Sequence, residues 1–226
     1  MLANSTIPVT LNWSGNGPAG TKYELQQGNG TPTSWITVTP AGFTGTDFTV
    51  NLRMGSFTAP SGVYQFQVRA CDSAGLCGAW AQGPRFNIFP VDDGIAAVTY
   101  SGSWTTEPLA GSYGGTVHWT AGSGTATIAN KVSFTITGNV AWVSTVGPER
   151  GLAQVQVDGK TPQAVDLYQP TQQTGKVVWA VDNLTAGTTH TVTITVLGKK
   201  STLNPNPCNT GTKCARVDVD MAVWIK

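Results

Sequence analysis

Apolar and polar residues alternate along much of this chain, and residues 147–168, GPERGLAQVQVDGKTPQAVDLY, show the pattern most clearly. In the segment AQVQV the apolar residues alternate with glutamine, so one face of the strand is apolar and the other is polar, as a half-buried strand requires. Asp158-Gly159 tolerates the positive φ angles of a tight hairpin turn, and Val165 and Leu167 resume the alternation after it. The segment therefore predicts a β-hairpin.

Similar short segments fill residues 1–90, and no helical period competes with them. Glycine and proline turns separate about six or seven candidate strands, a pattern typical of an antiparallel β-sandwich. The predicted strands of this first domain include residues 9–13, 23–26, 35–38, 48–52 and 64–70.

Residues 95–226 form the second predicted domain, and residues 89–94 are expected to be a short linker between the two. About eight or nine alternating segments indicate an antiparallel jelly-roll β-sandwich, which makes the whole chain all-β. Near the C-terminus Asp218 and Asp220 alternate with apolar residues, so both are expected on the polar face of a strand. The predicted strands outside the hairpin are residues 98–100, 116–120, 131–137, 140–143, 176–181, 190–197 and 217–225.

Composition argues against some classes of partner. Only 11% of the 226 residues are charged and the formal net charge is +1, so nothing electrostatic favours nucleic acid or an anionic membrane surface. No apolar run approaches the roughly 20 residues of a membrane span, and the N-terminus lacks the pattern of a signal peptide. Because the chain opens almost directly on a strand, we expect a monomeric piece of a longer secreted protein.

The four cysteines form two pairs with the same spacing, Cys71 with Cys77 and Cys208 with Cys214. Neither pair has a histidine beside it, and a zinc site would need four soft ligands at closer spacing, so each pair favours a disulfide that closes a hairpin loop. Each loop is short, so each disulfide is expected to contribute about 2 to 3 kcal/mol. Disulfides imply an oxidising compartment and hence a secreted or cell-surface protein.

The sequence of the first domain resembles a fibronectin type III domain. Trp13 lies on an early strand and Leu52 precedes the segment YQFQVRACDSAGLCGAW, which starts at Tyr64 and is similar to the ending of bacterial members. The chain departs from the family pattern in the longer segment between Leu52 and Tyr64 and in the cysteine pair. The resemblance implies a spacer or interaction platform without chemistry, in which Trp35 and Trp80 are ordinary packing residues.

A second resemblance covers nearly the whole second domain. The motifs YSGSW at residues 100–104, YGGTVHWT at 113–120 and VDVDMAV at 217–223, together with the hairpin, look like jelly-roll modules appended to secreted bacterial glycoside hydrolases and surface proteins. This resemblance implies a galactose-binding-like sandwich that binds polysaccharide through loops at one end of the sheets or through a concave face.

A saccharide presents C–H faces and a ring of hydroxyl groups, so its site needs an exposed aromatic ring flanked by groups that donate and accept hydrogen bonds in pairs. Trp119 and Trp142 share strand faces with valines and are expected in the core, whereas one tyrosine lies in a glycine-rich loop and another on a polar strand face. The predicted glycan-binding residues are Tyr113, Glu149, Arg150 and Tyr168. The alternative for the two charged residues is that they only pair with each other across their turn.

Four aspartates make up a candidate metal site, because a strand period of two places a pair of them on one face at the end of the domain. Carboxylates suit calcium, a hard ion that takes six to eight oxygen ligands. Jelly-roll modules of the kind the chain resembles often hold a structural calcium between their first and last strands. The alternative is that these side chains are only solvated and protect an edge strand. The predicted calcium ligands are Asp92, Asp93, Asp218 and Asp220.

Catalysis has little support in the sequence. His118 and His190 are the two histidines, both are expected to face outward, and no nucleophile elbow or zinc-protease motif occurs. The leading hypothesis is therefore a non-catalytic module that binds a polysaccharide, while a hydrolase of unrecognised type remains the third. The second hypothesis is a structural or adhesive module of a surface protein, which predicts that Tyr113 and Tyr168 are dispersed or buried.

Overall fold

This computed structural model describes residues 6–225 except 16, 30–33, 54–62, 123, 126–127, 130, 137–138, 183, 186 and 206–213. The chain divides into two compact units, and the boundary lies between Phe89 and Pro90. The described residues of both units form β-strands joined by turns, which confirms the all-β fold class. Within this described part, no helix is long and apolar enough to cross a membrane.

The first unit contains a two-stranded sheet, β1-β4, and a second sheet with the order β7-β5-β2-β3, in which β6 also pairs with β5. Alternation along the strands buries apolar residues such as Leu25, Leu52 and Phe66, so they form the core of this unit. The strands are β1 Thr6–Asn12, β2 Lys22–Asn29, β3 Ile36–Thr37, β4 Asp47–Arg53, β5 Val63–Cys71, β6 Ala81–Gln82 and β7 Phe86–Asp92.

The disulfide between Cys71 and Cys77 closes the loop after β5 and confirms the first predicted pair. Cys214 is also disulfide-bonded, whereas Cys208, its predicted partner, lies outside the described residues. The segment expected to be a linker is instead strand as far as Asp92, the last residue of β7.

The second unit contains two larger sheets, with the orders β16-β15-β18-β13-β8 and β17-β14-β20-β7. A third sheet has the order β19-β10-β9, and β11 pairs with β12. The strands are β8 Thr99–Ser101, β9 Thr105–Pro108, β10 Thr116–Thr120, β11 Gly124–Thr125, β12 Ile128–Ala129, β13 Lys131–Ile136, β14 Asn139–Val146, β15 Gly151–Val157, β16 Gln163–Asp166, β17 Gln173–Val181, β18 His190–Lys200, β19 Val217–Val219 and β20 Met221–Ile225.

The predicted hairpin is confirmed as β15 and β16. Ala153, Val155 and Val157 are buried and the two glutamines between them are partly exposed, and the turn has φ of 51° at Asp158 and 70° at Gly159. The Asp158 carboxylate accepts a hydrogen bond from Thr191 N (2.8 Å) and lies 2.6 Å from His190 Nδ1. His190 is therefore buried rather than outward-facing as expected, because it pairs with the carboxylate of the turn.

The core of this unit includes Trp142, which is fully buried as the sequence predicts. The last strand of the unit is interrupted at Asp220: β19 pairs with β10, whereas β20 pairs with β14. Residues 217–223 are all buried, so the expected polar face for Asp218 and Asp220 is wrong. The two aspartates alternate with the neighbouring apolar residues, as predicted. However, other side chains cover both faces of this segment where it passes from one sheet to the other.

Candidate functional site

Three of the four predicted calcium ligands meet at this interruption, and we call Asp92, Asp93 and Asp220 the carboxylate trio. Asp92 is the last residue of β7 and Asp93 follows it, while Asp220 lies between β19 and β20. The main chain holds the two segments together, because Asp93 N donates a hydrogen bond to Asp220 O at 3.1 Å. Strand pairing therefore brings together acids that are far apart in sequence.

Each member of the trio has a buried carboxylate oxygen that accepts no hydrogen bond from the described part of the chain: Asp92 Oδ1, Asp93 Oδ1 and Asp220 Oδ2. Asp93 is only 1% exposed and Asp220 is 0% exposed. A buried charge without a partner is strongly unfavourable, so these three oxygens need either protons or a cation.

Burial and mutual repulsion raise the pKa values of two of these carboxyl groups. Desolvation, followed by the charge of Asp93, raises the pKa of Asp92 to about 6. Desolvation also raises the pKa of Asp220 to about 7, and the neighbouring charges of Asp93 and Asp92 add to it. Without a counter-charge Asp92 and Asp220 therefore hold protons at a pH where isolated aspartates are ionised.

His118 orients the second oxygen of Asp93. Its Nδ1 lies 2.7 Å from Asp93 Oδ2, and its Nε2 lies 2.9 Å from Thr106 Oγ1. Tyr100 stacks on the imidazole ring with a centroid distance of 4.5 Å and donates a hydrogen bond from its hydroxyl to Asp93 O at 2.9 Å. His118 was expected to face solvent, but it is a half-buried partner of the trio.

Calcium is the cation that the chemistry of the trio suits. The trio offers three carboxylate oxygens that accept no hydrogen bond in the described part of the chain, on main-chain segments that a hydrogen bond fixes side by side. The ligand oxygens of the three acids do not all lie within 4.8 Å of one another, so the side chains would have to turn toward a shared ion. Hard oxygen ligands of this kind are those that calcium prefers, and a divalent cation would supply the charge that the buried oxygens lack.

Asp218 does not belong to this set, which corrects the sequence analysis. Arg150 Nε and Nη2 each donate to Asp218 Oδ2 at 2.7 Å, and Arg216 Nε donates to Oδ1. Arg216 also pairs with Glu107, and its guanidinium carbon lies 4.4 Å from the centroid of the half-buried Trp119 ring. Both Asp218 oxygens are thus engaged by guanidinium groups, so neither is left for a cation.

The connection from β9 to β10, residues 109–115, is a closed loop that we call the Tyr113 loop. Leu109 N donates to Gly115 O at 3.0 Å, and Ser112 Oγ donates to Leu109 O at 2.7 Å. A 3-10 turn follows over Tyr113–Gly115, in which Gly114 has φ of 66°. Tyr113 is half-buried on this loop, so part of its ring is accessible to a ligand.

The Tyr113 loop lies directly against the carboxylate trio. Tyr113 N donates a hydrogen bond to Asp220 Oδ1 at 2.7 Å. A Cβ atom added to Gly114 would lie 2.8 and 2.9 Å from the two Asp92 carboxylate oxygens, so a side chain there would displace that carboxylate. The same acids therefore support both a candidate cation site and the loop that carries a predicted glycan-binding residue.

Arg150 is wrongly predicted as an exposed ligand-binding residue. It is only 2% exposed, because its guanidinium group turns inward to the buried carboxylate of Asp218. It therefore forms neither the ligand contact nor the pair with Glu149 that the sequence suggested. Glu149 is exposed, and Tyr168 is half-buried beside Gly147, with which it forms a β-bridge.

Residues 169–175, which we call the strap, contact both the Tyr113 loop and Gly147, and their last three residues begin β17. Their place beside the site was not predicted from the sequence. An added Cβ at Gly147 would lie 3.3 Å from Gln172 Cα, and one at Gly111 would lie 2.4 Å from Thr174 Oγ1. Gln172 Oε1 accepts a hydrogen bond from Arg150 Nη1 at 3.4 Å. The polar run TQQTG at residues 171–175 was the available signal, because amide and hydroxyl groups suit saccharide hydroxyls.

No protein-family model and no curated protein sequence matches the chain. Among solved structures, it is similar to a family 35 carbohydrate-binding module from Clostridium thermocellum, with 14% identity, a TM-score of 0.38, and coverage of 62% of this chain and 97% of that one. A Paenibacillus xanthan lyase has 14% identity and a TM-score of 0.41, with coverage of 98% of this chain and 19% of that one. A Phanerochaete chrysosporium exo-β-1,3-galactanase with galactose has 12% identity and a TM-score of 0.36, with coverage of 100% and 55%.

Proposed function

We propose that this chain is a non-catalytic, extracellular fragment that binds a polysaccharide through the second unit, with the first unit as a fibronectin type III-like spacer. The observation that carries the proposal is the half-buried Tyr113 on a closed loop, held against the carboxylate trio and beside the strap. The disulfide between Cys71 and Cys77 supports an oxidising, extracellular setting.

The surface around the Tyr113 loop has the chemistry that a saccharide needs. The Tyr113 ring offers an apolar face for sugar C–H groups, while its hydroxyl group and the Gln172 amide can exchange hydrogen bonds with sugar hydroxyls. The Thr174 hydroxyl lies against the tip of the same loop, at Gly111. A neutral ring of hydroxyl groups therefore matches this surface better than a charged ligand does.

The acids nearest the Tyr113 loop support binding rather than hydrolysis. A glycosidase presents two carboxyl groups on either side of the scissile bond. Here Asp93, Asp218 and Asp220 are buried among protein groups. The role of the trio would instead be structural: Asp92, Asp93 and Asp220 would hold calcium, which supplies positive charge to the buried oxygens.

Retention on glycans tests this proposal. The full chain in calcium is applied to a panel of insoluble polysaccharides and run in affinity electrophoresis against soluble ones, alongside Tyr113→Ala and Tyr168→Ala. We expect retention on at least one glycan and its loss in Tyr113→Ala, whereas Tyr168→Ala keeps most of it because Tyr168 lies at the Gly147 bridge. No retention on any glycan would reject the proposal.

The inward-facing Arg150 favours a second candidate, a structural or adhesive module of a surface protein without a sugar site. In that case the ion pairs and the trio serve stability alone. This candidate predicts no retention on any glycan and unchanged docking to a neighbouring domain of the parent protein when Tyr113 is replaced.

A further inference from the structure

We propose that a cation bound by the carboxylate trio sets the conformation of the Tyr113 loop, so that glycan binding depends on a cation that does not touch the glycan. The glycan part of this inference rests on the proposed function. The loop part does not, because it concerns only the contacts between residues 109–115 and the trio.

Two of the three acids contact the loop directly. The two oxygens of Asp220 differ in their contacts. Oδ1 accepts the hydrogen bond from Tyr113 N, and Oδ2 has no hydrogen-bond partner in the described part of the chain. Both Asp92 oxygens lie against Gly114, and Asp92 Oδ1 is likewise buried without a hydrogen bond. A cation bound to the unpaired oxygens would therefore fix the carboxylates on which the loop rests.

The carboxylate of Asp220 anchors the loop from outside it. The bonds from Leu109 N to Gly115 O and from Ser112 to Leu109 O lie within the loop, whereas the Tyr113 amide donates to Asp220 on the last strand segment. Without a cation, mutual repulsion among the three acids drives their side chains apart. That displacement weakens the acceptor for the Tyr113 amide and loosens the turn.

The cation would not be accessible to the glycan. Asp93 and Asp220 are almost fully buried, and so are their oxygens without a hydrogen-bond partner in the described part of the chain. A cation held there is enclosed by protein groups. The accessible part of Tyr113 is then the contact for the glycan, and the cation controls only its position.

Two neighbouring glycines provide a matched pair of variants. Gly114 and Gly115 both have positive φ, 66° and 86°, so alanine strains the backbone at either position. An alanine Cβ at Gly114 would collide with the Asp92 carboxylate, whereas one at Gly115 meets nothing within 4 Å. Gly114→Ala therefore disturbs the contact between loop and trio, and Gly115→Ala reproduces the backbone cost without that collision.

The experiment measures amide hydrogen exchange of residues 109–115 in the full chain, with calcium and with chelator, and calcium affinity by calorimetry in both variants. We expect chelation to speed exchange of the Tyr113 amide by about tenfold or more, the effect of losing one hydrogen bond of ordinary net strength. We also expect Gly114→Ala to lower calcium affinity about tenfold or more relative to Gly115→Ala. Glycan retention should likewise be lower for Gly114→Ala than for Gly115→Ala.

Unchanged exchange of the Tyr113 amide on chelation would overturn the inference, as would equal calcium affinity in the two variants. The exchange measurement on the unsubstituted chain needs no variant, so it decides the loop part even if Gly114→Ala does not fold. Retention of a glycan that is equal with calcium and with chelator would overturn the coupling while the proposed function stands. Calcium-dependent exchange without retention of any glycan would reject the proposed function and support the control of the loop.

Discussion

Asp218 and Asp220 are two residues apart and both are 0% exposed, but their carboxylates differ in the partners that surround them. Asp218 accepts hydrogen bonds from Arg150 and Arg216, whereas Asp220 has a buried oxygen without a partner in the described part of the chain. Burial raises the pKa of Asp218 as well, but the two guanidinium groups oppose that rise. Burial alone therefore does not define a cation site; the absence of an internal counter-charge does.

The surroundings of the two aspartates explain this difference. The cluster around Asp218 contains the acids Asp218 and Glu107 and the guanidinium groups of Arg150 and Arg216, so its charges cancel. The trio has only the imidazole of His118 as a basic neighbour in the described contacts, and that contact goes to Asp93 alone. One cluster is complete without a ligand, and the other has an excess of negative charge that a cation can neutralise.

The largest effect is expected from breaking the complete cluster with Arg150→Met. Removal of one partner of a buried ion pair leaves the other charge uncompensated, which costs about 3–5 kcal/mol. We expect that loss in the free energy of unfolding, measured with denaturant, both with calcium and with chelator. The exposed neighbour Glu149→Gln is the control and should change stability by less than about 0.5 kcal/mol. A loss confined to calcium-containing buffer would contradict the separation of the two clusters.

The next largest effect concerns Asp220→Asn, which removes a charge from the trio but keeps the size of the side chain. At calcium concentrations about 100-fold above Kd, binding to the native state stabilises it by about 2.7 kcal/mol. We expect the unsubstituted chain to show this calcium-dependent gain in thermal and denaturant unfolding, and Asp220→Asn to lose it. In chelator the variant should be no less stable than the unsubstituted chain, because it relieves repulsion. An equal calcium-dependent gain in both proteins would place the cation elsewhere.

A smaller effect is expected from pH in the calcium-free protein. The native pKa values of Asp92 and Asp220, about 6 and about 7, lie above the ordinary value of 3.8, so the native state binds more protons than the unfolded state between these limits. Stability in chelator should therefore fall as pH rises from about 4 to about 7. Calcium competes with the protons, so its stabilising effect should grow over the same interval. Melting temperatures across this range test the sign, and a calcium-free protein that gains stability over it would contradict the account.

Sequence reasoning recovered the parts that depend on local pattern. The hairpin of β15 and β16 follows from alternation and from Asp158-Gly159, which need no knowledge of the rest of the fold. Three of the four candidate ligands lie on neighbouring segments, since the first and the last strand of the second unit, β7 and β20, are neighbours in one sheet. Tyr113 was predicted to be accessible from its glycine-rich loop and is half-buried there, and its role in binding stays a prediction.

The sequence could not show which residues cover a strand face. The alternation of polar and apolar residues predicts that Asp218 faces outward. The last strand changes sheets at Asp220, however, so both faces of that segment are buried. Arg150 lies in a loop with the composition of a solvated turn, and only the position of Asp218 explains why it points inward. Gln172 and Thr174 were missed because their role depends on a strap that contacts loops distant in sequence.

A calorimetric titration of calcium into the chelator-treated full chain tests the central claim most directly. The account predicts calcium binding by the unsubstituted chain and by Asp182→Asn, which alters an exposed aspartate outside the trio, and no binding by Asp220→Asn. Absence of calcium binding by the unsubstituted chain, or binding that Asp220→Asn leaves unchanged, would contradict it.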